Sequence, residues 1–214
     1  IHRLVHSHLR YGHTPKKKLA LLLKGARTIK DIFNSNHHID TDVDFLKLMV
    51  PQIEGFMAQL QKITSENNYI DLISIAGDIY FSLGDYNTSF QMHSNALTIL
   101  KKHFVNNYTS MLHTLLQLGN IEFILRNNNN SLRFLTQALQ INKEHLGTNS
   151  IEVAYILCSL GRTYCETGDY NQCLKYLENS LLIQENHPGK DDLYKALTFG
   201  YIGSAYRKLN DYDK

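Results

Sequence analysis

The sequence predicts an all-α fold, a solenoid of stacked antiparallel helix pairs preceded by capping helices, and three observations predict it. First, the chain repeats itself: AGDIYFSLGDYNTSFQMHSNAL at 76–97, LGRTYCETGDYNQCLKYLENSL at 160–181 and IGSAYRKLNDYDK at 202–214 share one pattern. Gly77, Gly161 and Gly203 mark one register, Tyr80, Tyr164 and Tyr206 a second, and Tyr86, Tyr170 and Tyr212 a third. Gly77 and Gly161 are 84 residues apart and Gly161 and Gly203 are 42 apart, so a 42-residue unit requires a copy with its glycine at 119, where Gly119 stands. Second, apolar residues recur at three- and four-residue spacing, as in Leu157, Leu160 and Tyr164, which sets them on one helical face. Third, Gly84-Asp85 and Gly168-Asp169 read as turns between helices, glycine ending one and aspartate capping the next.

The elements follow in order. KKKLALLLKGARTIKDIF at 16–33 has a broad apolar face of Leu19, Leu22, Leu23, Ala26, Ile29, Ile32 and Phe33, and Asn34 to Asn36 end it. Asp44 to about Thr64 reads as a second helical stretch, kinked or divided by Pro51. Residues 1–66 therefore form a helical cap or linker, because the end of a stack of helix pairs is otherwise an open apolar surface. Residues 67–214 form the repeats: about 70–111, 112–153, 154–195 and a truncated 196–214. In each unit the small residue on the first helix lets its neighbour approach closely. The second helix carries its own stripe: Phe90, Ala96 and Leu97 in one unit, Leu174, Leu177 and Leu181 in another. The second unit has Arg126 and Asn127 to Asn130 where the others have Gly-Asp-Tyr, which predicts a longer, looser turn and a surface loop.

Bulk properties narrow the function. The 214 residues are 43% hydrophobic and 20% charged, with a net charge of +2, so no strong field draws the chain to nucleic acid or an anionic membrane. The most apolar run, LALLLKGA at 19–26, is too short to span a bilayer, and the first residues do not read as a secretory signal. The expected location is cytoplasmic. The start at Ile1 and the end at Lys214 read as a piece of a longer protein. Three N-x-S/T sequons, at Asn87, Asn107 and Asn129, read as chance in an asparagine-rich chain.

No constellation announces catalysis. Three cysteines crowd between 158 and 173 without the paired spacing of a zinc site, and Cys173 reads as a small buried core residue. There is no HExxH, no GxSxG and no Cys-His pair at motif spacing. His2, His6, His8 and His13 lack a third ligand at fixed spacing and read as a polar helix face; Lys16 to Lys18 read as a solvated run. The expectation is a protein that is not an enzyme, with no metal and no cofactor.

The residues Leu160, Gly161, Tyr164, Gly168, Tyr170 and Cys173, and next Gly77, Tyr80, Gly84, Tyr86 and Ala96, resemble the tetratricopeptide repeat family. The 42-residue period, with Glu185, His187 and Pro188, resembles the longer-helix variety of kinesin light chains and of the carboxy-terminal sensors of signalling (STAND/NB-ARC-type) ATPases. IHRLVHSHLR resembles a segment that closes the helical module before the repeat array in some of those ATPases. The resemblance implies a right-handed superhelix with a concave groove made by the first helices that binds a protein or peptide. Its groove positions fall on Asp71, Ser74, Asp78 and Phe81; on His113, Gln117, Asn120 and Phe123; on Tyr155, Ser159, Arg162 and Glu166; and on Ser204, Arg207 and Lys208. The family's Lys/Asn clamp for a terminal carboxylate needs basic residues in the early units, where this chain has Ser74 and Asp78. The charge gradient instead implies an acidic ligand end lying toward Arg162, Arg207 and Lys208. The alternative role is a regulatory or autoinhibitory sensor arm of a larger ATPase.

Overall fold

The computed structural model describes residues 67–103, 106–147, 150–187 and 192–212, together with single positions between 44 and 58. The helix expected over 16–33, the histidines at 2–13 and the lysine run lie outside the described residues. Among the described residues the protein is all-α and has no strand. Among the described residues seven continuous helices follow one another: α1 (Asn67–Ser82), α2 (Tyr86–His103), α3 (Tyr108–Ile124), α4 (Asn128–His145), α5 (Ile151–Thr167), α6 (Tyr170–Glu185) and α7 (Asp192–Tyr212). They form stacked helix pairs grouped in two compact units, Ile1–Phe104 and Val105–Lys214.

In the first unit α1 packs on α2. Leu72, Ile73 and Ile79 of α1 and Leu100 of α2 are fully buried between them and their surroundings. Met57 is buried too, and the Tyr80 hydroxyl donates to Glu54 Oε1 at 2.5 Å, which ties α1 to the segment before it. Burial, and then this bond to a carboxylate, push the Tyr80 phenol up to about 12.

In the second unit α3–α4 and α5–α6 are antiparallel pairs and α7 packs on α5 and α6. Tyr108, opening α3, stacks on His145, closing α4, with ring centroids 3.7 Å apart, which is how an antiparallel hairpin brings its outer ends together. Leu115, Leu118, Ile121 and Leu135 fill the first pair; Ile151, Val153, Ala154, Leu157 and Ile183 form a cluster in the second.

Three glycines of the repeat register, Gly77, Gly119 and Gly161, sit where a neighbouring helix comes close, whereas a Cβ at Gly203 would meet nothing within 4 Å. A Cβ added at Gly77 would meet the His93 ring at 2.5 Å, one at Gly119 the Leu135 side chain at 2.6 Å, and one at Gly161 Leu177 at 2.6 Å and the Cys173 carbonyl oxygen at 3.1 Å. Polar seams run beside these contacts: the Ser89 hydroxyl donates to the Gly77 carbonyl at 2.8 Å, and the Ser180 hydroxyl to that of Ala154 at 2.6 Å. Both hydroxyls are buried, so the bonds satisfy groups that would otherwise be costly to desolvate.

The turns depart from expectation in one respect. Gly84 and Gly168 adopt φ of +80° and +83°, and Asp85 and Asp169 cap the next helix through the amides of Thr88 and Gln172, as the sequence implied. The second unit's turn is not longer or looser. Arg126, 42 residues from each glycine, takes φ +64° itself. Its amide bonds Phe123 O at 3.0 Å and that of Asn127 bonds Glu122 O at 2.8 Å, matching Gly84 to Phe81 and Asp85 to Tyr80. Nor is the asparagine run a loop: α4 begins at Asn128, while Asn127 and Asn130 donate to the buried Glu122 carboxylate at 2.7 and 3.2 Å. Asn127 thus spends its side chain on Glu122 and makes no cap bond. A left-handed conformation is unfavourable for a side chain bearing Cβ, so Arg126→Gly is expected to raise stability by about 0.5–1 kcal/mol. Chemical denaturation with an unchanged slope is the check; a loss would show that the exposed Arg126–Glu166 ion pair matters more than the turn.

Cys173 is a buried core residue, and it is also disulfide-bonded to Cys165 across the α5–α6 turn. Cys158 is the free cysteine among the described residues. Burial raises its pKa, opposed by a bond from Thr198 and by the charge of Arg162, so it stays a packed thiol.

Candidate functional site

The expected groove positions divide between the two units. On α1, Asp71 is exposed while Ser74, Asp78 and Phe81 are half-buried. Asp78 Oδ1 lies 3.5 Å from His93 Nε2, and Phe81 meets Tyr86 edge-on at 5.5 Å. Two of these four therefore spend part of their surface inside the first helix pair.

The second unit brings several of the others together. Asn120 and Phe123 on α3 meet Ser159 and Arg162 on α5 where these two first helices touch. Ser159 Oγ and Arg162 Nη2 both donate to Asn120 Oδ1 at 2.9 Å. The Arg162 guanidinium lies over the Phe123 ring, 4.1 Å from its centroid. Glu166 is engaged elsewhere, accepting from Arg126 Nη1 at 2.9 Å. Arg162 is therefore a half-buried cation held flat by an aromatic face and one amide oxygen, and its Nε is buried with no hydrogen-bond partner. A planar guanidinium fixed in this way can offer its remaining Nη hydrogens to a carboxylate at little further entropic cost.

Other positions differ in kind. Asn120 and Ser159 are themselves buried, so they orient Arg162 and offer little surface of their own. His113 is exposed and Gln117 half-buried on α3; Tyr155, half-buried on α5, packs on Tyr194 of α7 with centroids 4.3 Å apart. On α7, Ser204 is half-buried and Arg207 and Lys208 are exposed.

Sequence reasoning missed a buried polar chain that fixes α7. Thr198 Oγ1 contacts Cys158 Sγ at 3.4 Å and Gln184 Nε2 at 3.3 Å, and Gln184 Nε2 also reaches Ser180 Oγ at 3.1 Å. All of these side chains are buried, so three helices share one network that tolerates a single register. The polar residues in otherwise apolar stripes, Ser180 and Gln184 on α6 and Thr198 on α7, were the available signal. Arg126 was missed as well, although the 42-residue spacing from Gly84 pointed to it.

Among the described residues there is no group of three His, Cys, Asp or Glu placed to hold a metal ion. No described helix is long and apolar enough to cross a membrane.

Comparison with known proteins agrees with this geometry. Residues 110–172 and 152–214 each match the family described as tetratricopeptide repeat. No curated protein matches the chain by sequence. Solved structures resemble it in fold. BtubC (BKLC) from P. vanneervenii matches with a TM-score of 0.63 and 18% identity, over 94% of this chain and 87% of that one. A candidate kinesin light chain of Podosopora anserina with nearly identical TPR-like repeats gives 0.66 and 15% identity, over 94% and 90%. A point variant of that same protein gives 0.67 and 16% over the same shares.

Proposed function

We propose, from a chain whose residues 110–214 match tetratricopeptide-repeat sequence in a TPR-like solenoid, that it is a non-catalytic scaffold whose first helices bind a protein or peptide partner. The observation that carries the reading is Arg162: a half-buried guanidinium stacked on Phe123, anchored on Asn120, with Nε left without a partner. Such a group favours an acidic ligand, since a carboxylate can accept from the Nη hydrogens that Asn120 does not take up. Arg207 and Lys208, exposed on α7, extend the basic character of the same unit. In this reading Asp71, Ser74, Asp78, Phe81, His113, Gln117, Tyr155 and Ser204 are further ligand-facing positions, and the acidic end of the ligand lies toward Arg162 and Arg207.

Residues 1–66 act as a cap on the repeats in this reading, supported by the buried Met57 and by the bond from Tyr80 to Glu54. The 42-residue spacing of Gly77, Gly119 and Gly161 supports the longer-period variety of repeat, as in kinesin light chains.

The test is capture of partners from a lysate of the source cells by the full chain at about 0.15 M salt, where surface charges are screened beyond roughly 8 Å. Arg162→Glu with Arg207→Glu is expected to reduce capture of the main partner at least about tenfold, as loss of a desolvated, hydrogen-bonded charge does. Lys143→Glu with Lys175→Glu, both exposed, is the control and should leave capture nearly unchanged. Equal losses in the two variants, with helicity intact by circular dichroism, would remove Arg162 and Arg207 from the site.

A further inference from the structure

The turn between α3 and α4 carries an arginine where the α1–α2 and α5–α6 turns carry glycine. Gly84 and Gly168 stand 42 residues before and after Arg126, and all three backbones are left-handed, with φ of +80°, +83° and +64° respectively. Glycine adopts that conformation freely, whereas a Cβ is pushed toward the following carbonyl. The backbone of this turn does not call for arginine: its amide bond to Phe123 O is the one that Gly84 makes to Phe81 O. A strained residue in such a place points to its side chain.

That side chain reaches the seam on which Arg162 lies. Arg126 Nη1 donates to Glu166 Oε2 at 2.9 Å, and one turn back along both helices the Arg162 guanidinium covers the Phe123 ring. Arg126 follows Phe123 by three residues and Glu166 follows Arg162 by four, so the two contacts are neighbours along α3 and α5. Two guanidiniums therefore stand about one helical turn, roughly 5 Å, apart, with the Glu166 carboxylate on the outer one. Glu122, the other carboxylate at this turn, is buried and held by Asn127 and Asn130.

The two cations are held differently. Arg162 is stacked and anchored on Asn120, and keeps its place whether or not a ligand is bound. The Arg126–Glu166 pair is exposed, at 73% and 41%, so water screens it and it contributes little stability of its own. Such a pair exchanges readily: a carboxylate that takes Arg126 leaves Glu166 in water at small cost. Side chains two apart on an extended chain point the same way and lie about 7 Å from each other, which spans the two arginines.

We propose that Arg126 is the second cation of the ligand site, and that it and Arg162 together grip an extended partner segment with acidic side chains at alternate positions. Glu166 occupies Arg126 until that segment displaces it. This rests on the reading of Arg162 as ligand-binding and adds a built-in competitor to it. A segment with one acid reaches Arg162 alone, whereas paired acids take both arginines, so the site selects by the spacing of charge.

The probe is a fluorescein-labelled peptide of alternating serine and glutamate, titrated with the full chain by fluorescence anisotropy at about 0.05 M salt, where exposed charges are only partly screened. Arg126→Gly suits the left-handed turn, so the melting temperature should not fall, yet binding should weaken at least about fivefold. Arg133→Gln removes the same charge from an exposed site on α4 and should change binding less than about twofold. Glu166→Gln should strengthen binding about threefold, and Glu152→Gln, at an exposed acid in the first turn of α5, should not. Equal losses from Arg126→Gly and Arg133→Gln would reduce the effect to net charge and overturn the proposal, as would weaker binding by Glu166→Gln. Loss of binding in Arg162→Gln, with Arg126→Gly and Glu166→Gln both unchanged, would remove Arg126 from the site and leave Arg162 in it. Failure of the unaltered chain to bind the peptide overturns the paired-acid site, with Arg162 still judged by capture from the lysate.

Discussion

Gly161→Val is expected to destabilise the second unit by about 3 kcal/mol, even though valine is the better helix former of the two. A Cβ there would stand 2.6 Å from Leu177 Cγ and 3.1 Å from the Cys173 carbonyl oxygen, and only the first of these can move aside. The α5–α6 backbones would have to separate, and Leu177 and Cys173, both 0% exposed, would lose their packing. Urea denaturation of the full chain measures it. Adding Leu177→Ala to Gly161→Val should cost much less than the sum of the two single changes, because the side chain that clashes is the one removed. Additive losses would mean that the carbonyl contact, not Leu177, sets the penalty.

Reduction of the Cys165–Cys173 bond should produce the second large effect, a loss of roughly 2.5 kcal/mol. The bond joins residues eight apart and lies within a single helical hairpin. Opening it restores freedom to the unfolded chain by an amount that loop-closure entropy sets for so short a loop. Thermal unfolding with and without dithiothreitol gives the difference, and Cys165→Ser should reproduce the reduced value without any reductant. Thiol titration of denatured protein should find one reactive cysteine, Cys158, before reduction and three after. Three thiols in the untreated protein, or equal melting temperatures in the two states, would contradict it.

The fold was legible because its signals are local and repeated. Glycine at 77, 119 and 161 and apolar residues at helical spacing specify how each first helix meets its partner, and the structure puts Gly77, Gly119 and Gly161 at those contacts. What periodicity cannot supply is the pairing of residues across a turn. Cys173 read as a small core residue of its own helix, and the tight Gly168-Asp169 turn is what folds it onto Cys165. Arg126 was misread for a related reason: absence of glycine suggested a different turn, whereas the flanking helices over-determine the backbone and force a residue with a Cβ to φ +64°. Of the expected ligand-facing residues, those with structural partners inside the second unit could be grouped: Asn120, Phe123, Ser159 and Arg162 form one cluster. Sequence position alone could not tell that Asn120 and Ser159 face inward, since a helix edge is half core and half surface and a small rotation decides between them.

Three of the register glycines meet a side chain sixteen positions further on: 77 with 93, 119 with 135, 161 with 177. Because both members of each such contact lie within one helix pair, duplication or loss of a whole pair during unequal crossing-over leaves the glycine contacts of the other pairs intact. A gene for such a chain can therefore lengthen or shorten in whole units with the glycine contacts of the other pairs preserved, and the Arg162 cluster, which joins two pairs, is then the part that selection must keep in place.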